Sequence, residues 1–376
     1  MTSRYSRYFF KSGLIALGLL LGLSLVIYGL HVRGMVNAWL LPLKPIALFL
    51  GGSSIIGFVL AGILEGVAFI RRRSSRRQIV QILVILCIGL NSLAYIAACL
   101  PTHHVPAGRW GLGLPRPENF KLPTDEGLSY TTVIVEIDSN QWLELWRIPA
   151  PQGWHTQGTV ILFPGKGSAK SSQLFGSAQG FHQLGYETVL VDYRGVGGSS
   201  GNRTTIGAHE AKDVALALDY VAQQKPGEPI VLYGISMGSV AIMRAIATLG
   251  IEPDGIILES PFVTFLNAIR SRLRFFHLPT FPTAEVMIFW GSLHHRFNGF
   301  AHNPLDYAKQ ITCPTLLLQG ELDQWTPLSE IEDLYANFPS SKQLVIFSDT
   351  GHELLVMANP DLWFQSVDPF LQDQLG

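Results

Sequence analysis

Charge is what this 376-residue chain has least of: Asp, Glu, Lys and Arg make up 15% of it, against 48% hydrophobic residues. So little charge over such a length is foreign to an ordinary soluble enzyme. Acids are almost missing from the first hundred positions, where Glu65 stands among ten lysines and arginines. The remaining residues reverse the sign, with 27 acids against 17 bases. That acidic balance argues against nucleic acid as a partner, because phosphate binding needs clustered cations. Cysteine is scarce as well. Cys87 and Cys99 share one apolar run and Cys313 stands alone, so no disulfide framework is available to the water-soluble part. Internal repeats and low-complexity tracts are absent too.

What the chain does have is long apolar runs near its start. Residues 12–32 carry no charge, residues 45–70 carry only Glu65, and residues 78–100 run uncharged up to Pro101. Each reaches the roughly 20 residues that a helix needs to cross a hydrocarbon core. Three membrane helices over 1–100 are therefore expected. No small-x-small site follows the first run, which favours an anchor over a cleaved signal. Glu65, close to the Arg71 cluster, reads as an interfacial carboxylate. Arg4, Arg7 and Lys11 precede the first run, Arg33 and Lys44 follow it, and Arg71, Arg72, Arg73, Arg76 and Arg77 separate the second from the third. The excess of basic residues predicts a cytoplasmic N-terminus and second loop. An integral protein of the cell membrane follows, with its C-terminal part on the extracytoplasmic side.

Residues 101–128 are rich in proline and read as a linker. From 129 to 376 the pattern changes. Strand-like runs at Thr131–Ile137 and Trp142–Ile148 flank an Asp138-Ser139-Asn140 turn. Further strands are expected at Thr159–Phe163, Thr188–Asp192, Ile230–Tyr233, Gly255–Leu258, Thr315–Leu318 and Gln343–Phe347. Helical stretches near 171–184, 207–223, 237–249, 328–337 and 360–373 alternate with them. Such alternation predicts an α/β fold, a mostly parallel eight-stranded sheet with helices on both faces. One interval, about 261–310, breaks the alternation and reads as a cap. Its first part places Phe262, Leu266, Ile269 and Leu273 on one helical face, flanked by Arg270 and Arg274.

The chemistry centres on Gly234-Ile235-Ser236-Met237-Gly238, which follows a buried strand and precedes a helical run. A glycine-flanked serine at a strand-to-helix turn is raised above the sheet, beside a helix N-terminus that favours developing negative charge. A serine hydroxyl needs a base, and the base needs an acid. Phe347-Ser348-Asp349-Thr350-Gly351-His352 offers the base directly after the last strand. Gly320-Glu321-Leu322-Asp323 offers the acid after the strand before it, with Glu321 and Glu259 as rivals to Asp323. The set Ser236, Asp323, His352 lies at C-terminal strand ends, where open α/β sheets build their sites.

The elbow, the chain order of the three residues, Val191-Asp192-Tyr193-Arg194-Gly195-Val196-Gly197-Gly198-Ser199 and Leu258-Glu259-Ser260-Pro261-Phe262 together resemble the α/β-hydrolase superfamily. The resemblance covers roughly residues 130–376. It extends to a branch with membrane-anchored abhydrolase-domain proteins and prolyl-oligopeptidase-like esterases. It implies a serine hydrolase that needs no cofactor and cleaves an ester, thioester or amide through an acyl-serine. Membrane anchoring tilts the substrate toward lipid or acyl esters. The oxyanion hole is assigned to the backbone N–H groups of Met237 and Lys166. Where the family usually shows His-Gly this chain has Pro164-Gly165, a change that leaves the backbone role intact. The Lys166 side chain is expected to run to solvent, the alternative being a cation that meets an anionic substrate.

Asp192 and Arg194 are expected to pin their loop through an ion pair or backbone hydrogen bonds. The pairs His103-His104 and His294-His295 lack ligand spacing, so no metal is expected. The aromatic cap either roofs the pocket or rests on the membrane with Arg270, Arg272 and Arg274. Oligomeric state is left open. A non-catalytic binding module of the same fold is the rival class.

Overall fold

The computed structural model describes residues 74–153 and 158–375. Eight strands appear where the apolar runs place them. They are β1 Thr131–Asp138, β2 Gln141–Ile148, β3 Thr159–Phe163, β4 Glu187–Val191, β5 Ile230–Ile235, β6 Gly255–Glu259, β7 Thr315–Gly320 and β8 Lys342–Phe347. They form one sheet in the order β8-β7-β6-β5-β3-β4-β2-β1. β2 runs antiparallel to β1 and β4, and the pairs from β4 through β8 are parallel. The parallel part is nearly all apolar because both of its faces are covered.

The helices among the described residues are α1 Ser74–Cys99, α2 Lys170–Gln173, α3 Phe175–Gln183, α4 Glu210–Gln224, α5 Met237–Leu249, α6 Phe265–Phe275 and α7 Thr283–His295. They continue with α8 Pro304–Ala308, α9 Leu328–Ala336, α10 Leu355–Ala358 and α11 Pro360–Leu375. Successive strand residues point to opposite faces, and two cores result. Ile161, Phe163 and Leu232 pack with Val214 and Ala241 of α4 and α5. Val160, Leu162, Val231 and Tyr233 pack with Phe181 and Trp363 of α3 and α11.

Two compact units divide the chain. One contains Met1–Leu100, Trp110–Leu112 and Glu285–Arg296; the other contains Pro101–Arg109, Gly113–Ala284 and Phe297–Gly376. In the first unit, Ala94 and Tyr95 of α1 are buried with Trp290 of α7. The Trp290 indole N–H donates to Asn91 Oδ1 at 3.2 Å. Of the expected membrane spans, 12–32 and 45–70 lie outside the described residues. The third, 78–100, coincides with α1, yet among the described residues no helix is long and apolar enough to cross a membrane. The middle of α1 is instead engaged through Asn91 and Tyr95 with α7. The expected third span is not supported among the described residues.

The cap interval holds α6, α7 and α8. Thr264 caps α6 by accepting the Asn267 N–H at 3.1 Å. The buried stripe of α6 is Phe265, Ala268, Ser271 and Leu273, one step away from the expected 262/266/269/273 face. The helix starts later than the apolar pattern suggests, and Phe262 belongs to the irregular segment before it.

Candidate active site

Strand β5 ends in a turn that only small neighbours permit. A Cβ on Gly234 would lie 2.5 Å from the Gly238 carbonyl carbon, and one on Gly238 would lie 2.4 Å from the Phe163 carbonyl oxygen. Between them Ser236 adopts φ 53°, ψ −108°, a conformation that L-residues avoid. Its N–H is held by the Glu259 carbonyl oxygen at 2.7 Å. The strain faces the hydroxyl out of the turn at the head of α5.

His352 Nε2 lies 3.1 Å from Ser236 Oγ, and His352 Nδ1 lies 2.6 Å from Asp323 Oδ2. Asp323 Oδ1 also accepts the N–H groups of Trp325 at 2.8 Å and Thr326 at 3.2 Å. Gln319 Nε2 donates to Oδ2 at 3.1 Å. Burial pushes the Asp323 carboxyl up, but the His352 hydrogen bond, the imidazole charge and the two amides outweigh it. The net direction is below the ordinary carboxylate value, so Asp323 is an anion. The loops that carry acid and base are tied to each other: Glu321 N–H donates to Phe347 O at 2.9 Å and Leu322 N–H to Thr350 O at 2.8 Å.

The rival acids are occupied elsewhere. Glu321 is exposed and accepts the Asp349 N–H at 3.4 Å. Glu259 is fully buried, accepts the Tyr233 hydroxyl and the Leu355 N–H, and is pushed up to about 7 by burial against those hydrogen bonds. Of the three acids, Asp323 is the one hydrogen-bonded to the imidazole.

The Met237 N–H begins α5 and the Lys166 N–H lies in the loop after β3; neither has a backbone partner among the described residues. The β3 loop is pressed onto the elbow, with the Gly165 N–H donating to Gln173 Oε1 at 2.6 Å. The Lys166 side chain departs from the solvent-pointing expectation. It is partly buried, and burial, followed by the nearby Arg272 charge, lowers its pKa to about 8.

Asp192 and Arg194 are not each other's partner. Arg194 Nε donates to Asp213 Oδ1 at 2.7 Å. Asp192, buried, takes Lys170 Nζ, the Lys170 N–H at 2.8 Å, the Gly198 N–H at 3.0 Å and Asn119 Nδ2 at 2.7 Å. Lys170 Nζ also reaches Glu144 at 2.7 Å and sits 4.2 Å over the Trp146 ring. Lys170 carries one signal in the sequence, a lysine within an otherwise small-residue turn. His104 Nδ1 lies 2.8 Å from Gly195 O and His103 Nε2 lies 3.3 Å from Asn202 Nδ2, so both rings are engaged with the loop around residue 200.

A sheet of this topology with a strained serine, a histidine and a carboxylate at successive strand ends defines a class, and in fold and in this constellation the chain is similar to the serine hydrolases of the α/β-hydrolase superfamily. A profile of the family described as serine aminopeptidase, S33, matches residues 155–304. The lysophosphatidylserine lipase ABHD12 of Danio rerio is 26% identical over 256 residues, 64% of this chain and 63% of that protein. The uncharacterized protein YqkD of Bacillus subtilis is 26% identical over 196 residues, 51% of this chain and 64% of that protein. The chain thus spans less than two thirds of the length of these curated relatives. Among solved structures, the Pyrococcus furiosus esterase Pf2001 superposes with a TM-score of 0.58 at 22% identity, covering 70% of this chain and 97% of that one.

Proposed function

We propose that the protein is a membrane-anchored serine hydrolase that cleaves an ester or thioester of a lipid or acyl substrate. The single observation that carries this reading is the Ser236–His352–Asp323 relay, with its contacts of 3.1 and 2.6 Å and its strained serine. His352 Nε2 takes the Ser236 proton as Oγ attacks the carbonyl carbon. The oxyanion so formed accepts the Met237 and Lys166 N–H groups, an interaction typically worth about 10²–10³ in rate per donor. The imidazolium then protonates the leaving oxygen, or the leaving sulfur of a thioester, and the acyl group stays on Ser236. Water, deprotonated by His352, releases the acid and restores the serine. Asp323 holds the imidazole throughout.

Lipid as substrate is supported by the lysophosphatidylserine lipase among the relatives and by an exposed apolar stretch in the cap. There Phe275, Phe276, Leu278 and Phe281 are all at least half exposed. The anchor rests on the hydropathy of residues 12–32 and 45–70 and on the basic residues that flank them.

The name of the matching family raises peptide hydrolysis as a second reading. An aminopeptidase needs an acid to receive the substrate's α-ammonium. Among the described residues, two cations without an ion pair adjoin the relay's loops, Lys166 beside the serine turn and Arg272 over Trp325, which favours the ester reading.

A serine-directed fluorophosphonate, with p-nitrophenyl esters of graded acyl length, tests the proposal. The wild type is expected to label once and to turn over esters. Ser236→Ala should abolish labelling and lower kcat by on the order of 10⁴–10⁶. An unlabelled wild type, or labelling that survives Ser236→Ala, overturns the reading.

A further inference from the structure

The loop after β3 carries Lys166 beside the serine turn, the helix α6 carries Arg272 over Trp325, and neither cation makes an ion pair among the described residues. Lys166 belongs to the loop clamped on the elbow, where a Cβ on Gly165 would lie 3.4 Å from the Ile235 carbonyl oxygen. Its ammonium has no hydrogen bond or ion pair among the described residues, and the charge nearest in effect is another cation, Arg272. Arg272 donates through Nη1 to the Ala268 carbonyl of its own helix at 2.8 Å and lies 5.1 Å over the Trp325 ring. Trp325 in turn gives its N–H to Asp323. Lys166 thus follows a residue packed on the serine turn, and Arg272 shares Trp325 with the acid of the relay.

The acids within electrostatic reach are already committed. Lys166 feels Glu210, whose oxygens accept from Thr204 Oγ1 at 2.8 Å, Thr205 N at 2.7 Å, Thr205 Oγ1 at 2.6 Å and Gly207 N at 3.0 Å. Arg272 feels Asp323, which is held by His352, Trp325, Thr326 and Gln319. Drawing like charges out of water beside one another costs stability. Perturbed, uncompensated charges of this kind cluster where a ligand supplies the missing partner.

We propose that Lys166 and Arg272 form an anion subsite beside Ser236 that receives a phosphate or carboxylate group carried by the ester substrate. The inference rests on the serine-hydrolase reading and adds to it which substrates are preferred. The guanidinium offers a planar fork of donors to paired oxygens, and the ammonium adds a point charge.

Two matched pairs of esters test it on the full chain in detergent. One compares p-nitrophenyl butyrate with the mono-p-nitrophenyl ester of glutaric acid, which places a carboxylate on the acyl side. The other compares a 1-monoacylglycerol with the lysophosphatidic acid of the same acyl chain, which differ by the phosphate on the leaving-group side. The wild type is expected to favour the anionic member of at least one pair by about tenfold or more in kcat/KM. Lys166→Met and Arg272→Met should each cut that ratio several-fold, Lys166→Arg should keep most of it, and added salt should erode it. A wild-type ratio within twofold of unity in both pairs overturns the subsite, as does a ratio that both methionine variants leave unchanged. If the fluorophosphonate labels Ser236 while the ratios are flat, only the subsite is lost; if it fails to label, the hydrolase reading falls as well.

Discussion

Lys166 and Lys170 lie within one short stretch after β3, yet they meet opposite electrostatic surroundings. Lys170 is fully buried between Asp192 and Glu144 and lies on the face of Trp146. Asp192 in addition gathers the N–H groups of Lys170 and Gly198 and the amide of Asn119. That region is closed in the electrostatic sense, because its charges and hydrogen-bonding atoms answer one another. Lys166 has a like charge for a neighbour and no acid in hydrogen-bonding contact. The difference teaches where to look for structure and where to look for selectivity. A balanced buried ion holds the loop from Asp192 to Ser200 under the sheet edge, while an unbalanced one keeps an electrostatic demand that only a ligand meets.

The comparison breaks most visibly in stability. Lys170→Met should lower unfolding free energy by about 3–5 kcal/mol, because it strands Asp192 in a buried site. Urea denaturation measures it, and a loss below about 1 kcal/mol would mean that the ion pair is incidental. Lys166→Met should have the opposite sign or none, within about 1 kcal/mol of wild type, since it removes an enclosed charge that has no partner. Equal losses in the two variants would erase the distinction.

Next in size is a pH effect on selectivity. The Lys166 pKa is lowered from 10.5 to about 8 by burial and by Arg272, against the opposing pull of Glu210. Its ammonium also faces His104. Below pH 8 the lysine is charged and the preference for anionic esters should be fully present. As pH rises through about 8 it should decline toward the share contributed by Arg272. Ratios of kcat/KM on the matched esters from pH 6.5 to 9.5 check this, and a flat profile would remove Lys166 from the subsite.

A last effect concerns Glu259, whose carboxyl burial raises from 4.5 to about 7 despite hydrogen bonds from Tyr233 and Leu355. Between those two values the folded state holds a proton that the unfolded state has released. Stability should therefore fall as pH rises from about 4.5 to about 7. Glu259→Gln should flatten that slope in denaturation curves taken at pH 5 and 7.5. An unchanged slope would mean that the carboxyl titrates near its ordinary value in the folded protein.

The eight strands were legible because each is a short apolar run bounded by turn residues, and the sheet ends lie within a residue or two of those runs. Ser236, His352 and Asp323 were legible as positions because each follows such a run. Which acid meets the imidazole was not decided by the pattern alone. It depends on Glu259 being occupied by Tyr233 and Leu355 and on Glu321 lying at the surface. The partner of Asp192 escaped for a similar reason. Arg194 is close in sequence, but the chain reverses after Tyr193, so Asp192 faces Lys170 and Arg194 faces Asp213. Arg272 carried no signal beyond being one of three arginines on an amphipathic stretch. Its place over Trp325 is set by the cap helix starting at Phe265 rather than at Phe262.

Lys166 joins two roles that mutation can separate. On the proposed chemistry its backbone amide serves the oxyanion, and that group is present in every residue except proline. Its side chain answers the charge of the substrate, and that group changes with a single codon. Diverging descendants of such a gene could swap the side chain, turning an enzyme for anionic esters into one for neutral esters, and inherit the amide untouched. Specificity at this position is thus open to drift and selection while the bond-breaking apparatus is passed on intact.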